Sequence, residues 1–105
     1  MTETQLAVVT GGAGDLGQTI IRSLVDAGYR VALVDRTDDI AVDAASLITA
    51  DRERCRGFGA NQENVAEVHA AFAAIAEWAG APHLTVANAG YAKFAPMTKR
   101  SVDRA

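Results

Sequence analysis

The 105 residues include one cysteine, Cys55, and show no cluster of basic side chains. A lone thiol excludes an internal disulfide and is compatible with a reducing cytoplasm, where the chain is expected to reside. The burial habits of free cysteine make Cys55 a small core residue. No apolar run approaches the ~18 residues of a membrane span, and Met1 to Gln5 lacks the charged and apolar regions of a signal peptide. Ten Lys and Arg against 13 Asp and Glu leave a formal charge of −3, so neither nucleic acid nor an anionic membrane is an expected partner. Repeats, linkers and low-complexity segments are also missing. What remains is the composition of an ordinary soluble globular chain, 50% hydrophobic and 22% charged. Its length suits one domain, 1–105, burying roughly 60–70% of its unfolded surface.

Hydrophobic periodicity divides that domain into alternating strands and helices. Leu6 to Val9 is an apolar strand that breaks into a glycine-rich turn. Leu16, Ile20, Ile21, Leu24 and Val25 then form a helical stripe that stops at Gly28, a residue suited to a C-terminal cap. Val31 to Val34, within Arg30 to Asp35, is apolar without alternation, as a parallel strand covered on both faces would be. Thr37-Asp38-Asp39 offers N-caps for a second helix reaching about residue 51, with Ile40, Ala44, Leu47 and Ile48 on one side. Arg54 to Phe58 is a weaker third strand. A third helix opens after Asn61-Gln62-Glu63-Asn64, repeats Val65, Val68, Phe72, Ile75 and Ala79, and ends at Gly80-Ala81-Pro82. His83 to Ala87 makes a fourth strand, followed by Asn88-Ala89-Gly90 and a less patterned tail. This βαβαβαβ order predicts an α/β fold of Rossmann type. Right-handed crossovers place the strands in the order 3-2-1-4, with helices on both faces and a ligand crevice where the order reverses.

The turn between the first strand and first helix carries the chemistry. Gly12, Gly14 and Gly17 have dinucleotide-binding spacing, and glycine lets backbone N–H groups approach phosphate oxygens while the helix directs its positive end at the same point. Asp35 closes the second strand near the offset expected of a ribose-binding acid. Its carboxylate would accept hydrogen bonds from the adenosine ribose and repel a 2′-phosphate, favouring NAD over NADP. Arg36 works in the opposite sense, because a guanidinium pairs with that phosphate. The bland reading of Asp35 is a solvated strand-end charge entering a turn.

Three segments together, TGGAGDLG at 10–17, LVD at 33–35 and VANAG at 86–90, make the chain resemble the short-chain dehydrogenase/reductase family. The resemblance implies an NAD(P)-dependent oxidoreductase that transfers hydride between nicotinamide and an alcohol or carbonyl. It implies a cofactor site formed by Thr10, Gly11, Gly12, Gly14, Asp15, Leu16, Gly17, Asp35 and Arg36. Asn88, Ala89 and Gly90 would lie beside the nicotinamide ribose and brace the sheet centre. Asn61 stands near the place of the family's adenine-side aspartate. Gly11, Gly14 and Gly17 also reproduce the spacing of the extended, sugar-nucleotide-modifying branch, whereas VANAG favours the branch with the Asn-Ala-Gly loop. Asp15 itself reads as a first-turn acid favoured by the helix dipole more than as a ligand, since pointed inward it would repel the pyrophosphate.

The family's proton-transferring Ser and Tyr-x-x-x-Lys have no counterpart in these residues, since Tyr29 is followed four positions later by Leu33 and Tyr91 by Ala95. No catalytic residue and no metal ligand is assigned. The chain resembles a cofactor-binding portion that ends within the family's fourth helix, and is expected to be inactive alone; an alcohol or carbonyl substrate would require a C-terminal part. His83 and Lys93 read as surface residues, while Tyr91 and Phe94 are either substrate contacts or packing. An apolar fourth strand lacking a neighbour would be a sheet edge through which the chain forms homo-oligomers or otherwise self-associates. A noncatalytic nucleotide-binding or regulatory module is the competing function. A methyltransferase is disfavoured by Gly17 and VANAG.

Overall fold

A computed structural model describes residues 4–88. The elements are β1 (Leu6–Thr10), α1 (Asp15–Asp26), β2 (Arg30–Asp35), α2 (Asp38–Ile48), β3 (Cys55–Gly59), α3 (Val65–Ala79) and β4 (Leu84–Ala87). All described strand pairs are parallel, and the sheet order is β3-β2-β1-β4. The order expected from alternation is therefore the order observed. Val8 pairs with Ala32 on one side and Thr85 on the other, so β1 occupies the interior of the sheet.

Each sheet face has its own core because side chains alternate along a strand. Ala7, Val9, Val31, Leu33 and Cys55 pack against Ile21 of α1 and Ala41, Ala44 and Ala45 of α2. Leu6, Val8, Ala32 and Val34 meet Ala71 and Ile75 of α3 on the opposite face. Small residues bring α2 close to the sheet: a Cβ at Gly57 would lie 2.3 Å from the Ala41 carbonyl carbon. That close approach governs the phase of α2. Ala41, Ala44, Ala45 and half-buried Ile48 form its inner face, whereas Leu47, expected among them, is 68% exposed.

The helix ends follow from their residues. Gly28 adopts φ +99°, its N–H donates to Val25 O at 3.0 Å, and Tyr29 N–H donates to Leu24 O at 3.0 Å. This is a Schellman closure, with Tyr29 and Leu24 both packed on the core. Arg54 adds a guanidinium donor to Val25 O at 2.7 Å, supplying the cation that the last turn of α1 lacks. Thr37 caps α2 through its hydroxyl, and Asn64 caps α3 through its side-chain oxygen. α2 ends at Ile48, earlier than the expected residue 51, because Thr49 is extended and its hydroxyl accepts from Asp51 N in the turn toward β3. β4 begins at Leu84, one residue after the expected start, although His83 also joins β1: its N–H donates to Leu6 O at 2.8 Å and its Nδ1 accepts from Leu6 N at 3.1 Å.

Candidate functional site

The carboxyl ends of the strands surround a cleft of about 740 Å³. The glycine turn at its centre divides the work among four positions. Gly11 takes φ +65°, the left-handed conformation needed to leave β1. Gly12 is buried, and its N–H donates to Val34 O at 3.1 Å, tying the turn to β2. A Cβ on Gly12 would stand 2.6 Å from Leu33 Cγ; on Gly17 it would stand 2.5 Å from Gly11 O and 2.7 Å from Gly12 Cα. These two glycines are required by packing. Gly14 differs, because its Cβ would meet only Gly11 O at 3.9 Å, and it lines the cleft.

Gly14 is also the N-cap of α1 and has no side chain with which to cap it. The opening N–H groups of an α-helix lack intrahelical acceptors, and here they start at the cleft wall formed by Gly14, Asp15 and Leu16. Open backbone, unoccupied helix donors and a positive dipole end fit a pyrophosphate. Asp15 has an acid's usual place in the first turn while also lining the cleft. Leu16, expected on the buried stripe, is 64% exposed at the same wall, whereas its neighbour Gly17 is the residue of the first turn that packs on the Gly11-Gly12 backbone.

Asp35 is placed by β2 at the next point along the cleft. Its Oδ2 accepts from Ala13 N at 3.0 Å, and its Oδ1 accepts from Arg36 N at 2.8 Å. Only 13% of its side chain is exposed, whereas the Arg36 side chain is 75% exposed with Nε 3.6 Å from Asp35 Oδ1. The acid therefore braces the glycine turn across 22 residues of sequence and retains acceptor capacity toward the cleft. Both its structural and its ligand-facing roles are physically compatible.

Asn88 closes the opposite end. Its Nδ2 donates to Gly11 O at 3.3 Å, which joins the residue after β4 to the turn after β1. Thr10 acts below it, donating through Oγ1 to Val86 O at 3.4 Å. The cleft thus brings Gly11, Gly14, Asp15, Leu16, Gly17, Asp35, Arg36 and Asn88 together. Thr10 and Gly12 support it from behind. Asn61 does not belong to its wall; Gln62 does, with Ile40. The sequence signal for Gln62 was only its position after β3, one residue beyond the expected adenine contact. Ala89, Gly90, Tyr91, Lys93 and Phe94 lie outside the described residues.

Cys55 lies apart from this site, buried at the start of β3 against α2. Burial without a charge partner pushes its thiol up to about 11, the behaviour of an inert core residue. Among the described residues no group of three or more His, Cys, Asp or Glu is arranged to hold a metal. No described helix is long and apolar enough to cross a membrane.

The short chain dehydrogenase family model matches residues 5–104. D-threitol dehydrogenase of Mycolicibacterium smegmatis is 34% identical over 98 residues, covering 93% of this chain and 38% of the relative. Sorbitol-6-phosphate 2-dehydrogenase of Escherichia coli is 39% identical over 93 residues, covering 87% and 36% respectively. The chain thus spans somewhat over a third of the length of these curated relatives. Among solved structures, the N-domain of a bacterial malonyl-CoA reductase with NADP has a TM-score of 0.78 at 34% identity, covering 84% of this chain and 17% of that one. An actinorhodin polyketide ketoreductase variant with NADPH has a TM-score of 0.75 at 28% identity, covering 87% and 36%. The glycine turn, the acid closing β2, the 3-2-1-4 sheet and a family match over nearly the whole chain agree: this protein belongs to the short-chain dehydrogenase/reductase family of oxidoreductases and comprises its N-terminal Rossmann portion.

Proposed function

We propose that this chain is the NAD(P)-binding portion of an oxidoreductase acting on an alcohol or carbonyl, and that it prefers NAD. Asp35 carries the preference. A largely enclosed carboxylate at the end of β2 suits ribose hydroxyls and repels a 2′-phosphate. Arg36 is the group through which some NADP binding is retained, because its exposed guanidinium, although its Nε lies 3.6 Å from Asp35 Oδ1, keeps further donors for a phosphate. The donors at the start of α1 hold the pyrophosphate, while Leu16 and Asn88 flank the nicotinamide half; the family resemblance assigns Ala89 and Gly90 to the nicotinamide ribose. The nicotinamide supplies hydride transfer when bound. Proton exchange with the substrate oxygen is assigned to groups beyond this chain, whose 105 residues contain no Tyr-x-x-x-Lys.

The β4 edge is part of the proposal. Among the described residues β4 pairs only with β1, and Leu84, Thr85 and Ala87 are exposed. A sheet edge of this kind attracts another strand, and a second copy of the chain is the proposed partner. The buried free thiol also fits a reducing, cytoplasmic location.

Calorimetric titration with NAD, NADP and S-adenosylmethionine tests the assignment. The expected order is NAD tightest, NADP weaker by about tenfold through one poorly matched charge contact, and no binding of S-adenosylmethionine. Equal or tighter NADP binding refutes the Asp35 reading. Loss of all dinucleotide binding refutes the function. Oxidation or reduction of a panel of alcohols and ketones by this chain alone refutes the placement of proton transfer elsewhere, whereas binding without turnover is the expected result.

A further inference from the structure

Three consecutive peptide units lead from the glycine turn into α1, and two side chains and one backbone group hold them. The Ala13 N–H donates to Asp35 Oδ2 at 3.0 Å. One peptide later the Ala13 carbonyl accepts from Gln18 Nε2 at 2.8 Å, and the Gly14 carbonyl accepts from the Gln18 backbone N–H at 2.9 Å. Gln18 thus draws two successive carbonyls toward itself, the first through its side chain and the second through the opening bond of the helix. The described peptide bonds are trans, and in a trans unit the N–H points opposite to the C=O. The N–H groups of Gly14 and Asp15 are therefore turned away from Gln18. Ala13, Gly14 and Asp15 line the cleft and Gln18 does not, so both donors are directed to its open side. Among the described residues the Gly14 N–H has no acceptor.

We propose that Gln18 is a positioning residue for the cofactor: its carboxamide fixes the Ala13–Gly14 peptide so that the Gly14 N–H is presented to the pyrophosphate. The inference rests on the dinucleotide function proposed above. Glycine is what makes the restraint necessary. Gly14 adopts φ −75°, yet it tolerates the positive φ that a reversal of the Ala13–Gly14 peptide would give it. That reversal carries the Ala13 carbonyl oxygen, a negative pole, into the space of the Gly14 N–H, where it would repel a phosphate. Asp35 holds the preceding peptide and the helix bond to Gly14 O holds the following one. Only Gln18 Nε2 acts on the unit between them. The glycine spacing does not encode this role, since position 18 lies after the last glycine of the turn.

The test is amide NMR of the isotope-labelled chain with saturating NAD, together with calorimetry. NAD should displace the amide resonances of both Gly14 and Asp15 in the unaltered chain. Gln18→Met keeps the length and the helix preference without a donor, whereas Gln18→Asn keeps the carboxamide but ends one methylene short. In both variants the Gly14 displacement should be lost. That of Asp15 should persist, because its peptide is held by the backbone of residue 18. NAD affinity should fall by at least about tenfold, the scale of one hydrogen bond to a charged group. The urea midpoints should stay within about 1 M of the unaltered chain's, since one partly exposed hydrogen bond is removed. A Gly14 displacement that survives in both variants, or an unchanged NAD affinity, overturns this inference alone. Equal loss of the two displacements, or a larger fall of both midpoints, makes residue 18 a support of the fold and also overturns it. No NAD binding by the unaltered chain overturns the proposed function and this inference with it.

Discussion

Replacing Gly17 by alanine tests whether the glycine turn is a packing element as well as a phosphate-binding motif. The new Cβ would lie 2.5 Å from Gly11 O, 2.7 Å from Gly12 Cα and 3.0 Å from Gly12 C. The nearest contact falls about 0.9 Å short of the 3.4 Å at which ordinary van der Waals contact begins. All three neighbours are backbone, so no side-chain rotation can relieve the overlap. The first turn of α1 must move away from the loop, and Gly12 has little room to retreat because Leu33 and Ile21 lie behind it. Overpacking typically costs about 1–3 kcal/mol, and the rigid neighbours place Gly17→Ala near the upper end. With a urea dependence of about 1–3 kcal/mol per molar, the midpoint should fall by about 1–3 M.

Gly14→Ala is the matched control. Its Cβ meets only Gly11 O at 3.9 Å, and φ −75° with ψ 170° is open to alanine. Loss of a good N-cap residue costs only a few tenths to about 1 kcal/mol. The added methyl nevertheless occupies the cleft wall where the pyrophosphate is proposed to approach, so NAD binding should weaken by at least about tenfold. Urea melts and NAD calorimetry on the two variants should therefore move in opposite proportion. Unchanged stability in Gly17→Ala, or a larger loss of stability in Gly14→Ala, would refute this division of roles.

Further outcomes follow from other parts of the structure. Asp35→Ala removes the acceptor of Ala13 N and the ribose-facing charge; NAD affinity should fall by at least about tenfold and the NAD-over-NADP preference should vanish in paired titrations, whereas a preserved preference would locate selectivity elsewhere. For Cys55, ionisation begins near pH 9 in the unfolded chain but near pH 11 in the folded one. The unfolded state therefore loses the proton first, and stability should fall between these values by on the order of 2–3 kcal/mol, an effect that Cys55→Ser removes from pH-dependent urea melts. At pH 8 the native thiol should resist alkylation, and rapid labelling would contradict its burial. At the β4 edge, Thr85→Lys should reduce concentration-dependent association in sedimentation experiments, because an edge lysine opposes strand addition. A monomer at high concentration without the substitution would remove the association proposal.

Much of the site was legible because its signals are local. A strand running into Gly11-Gly12, Gly14 at the head of a helix and Gly17 within its first turn is a pattern spanning eight residues from Thr10 to Gly17. Gly28 announces a left-handed cap, and Thr37 and Asn64 announce the starts of helices, since capping depends on groups within a few positions. Phase errors arose where periodicity alone could not locate the neighbouring surface. Leu16 and Leu47 satisfy the helical repeat, yet the first turn of α1 packs on the loop through Gly17 and leaves Leu16 at the cleft wall, and the close packing of α2 on Gly57 turns Leu47 outward.

By itself the sequence determined the alternating elements, the parallel 3-2-1-4 sheet and the family, because short-range periodicity, caps and crossover handedness leave few arrangements open. Tertiary structure decided which atoms face one another. It placed the Asp35 carboxylate on Ala13 N, Asn88 on Gly11 O and His83 on Leu6 N. It also put Gln62, instead of Asn61, on the cleft wall. These contacts depend on strand register and on how each helix docks, quantities set jointly by residues far apart in the chain and carried by no local pattern.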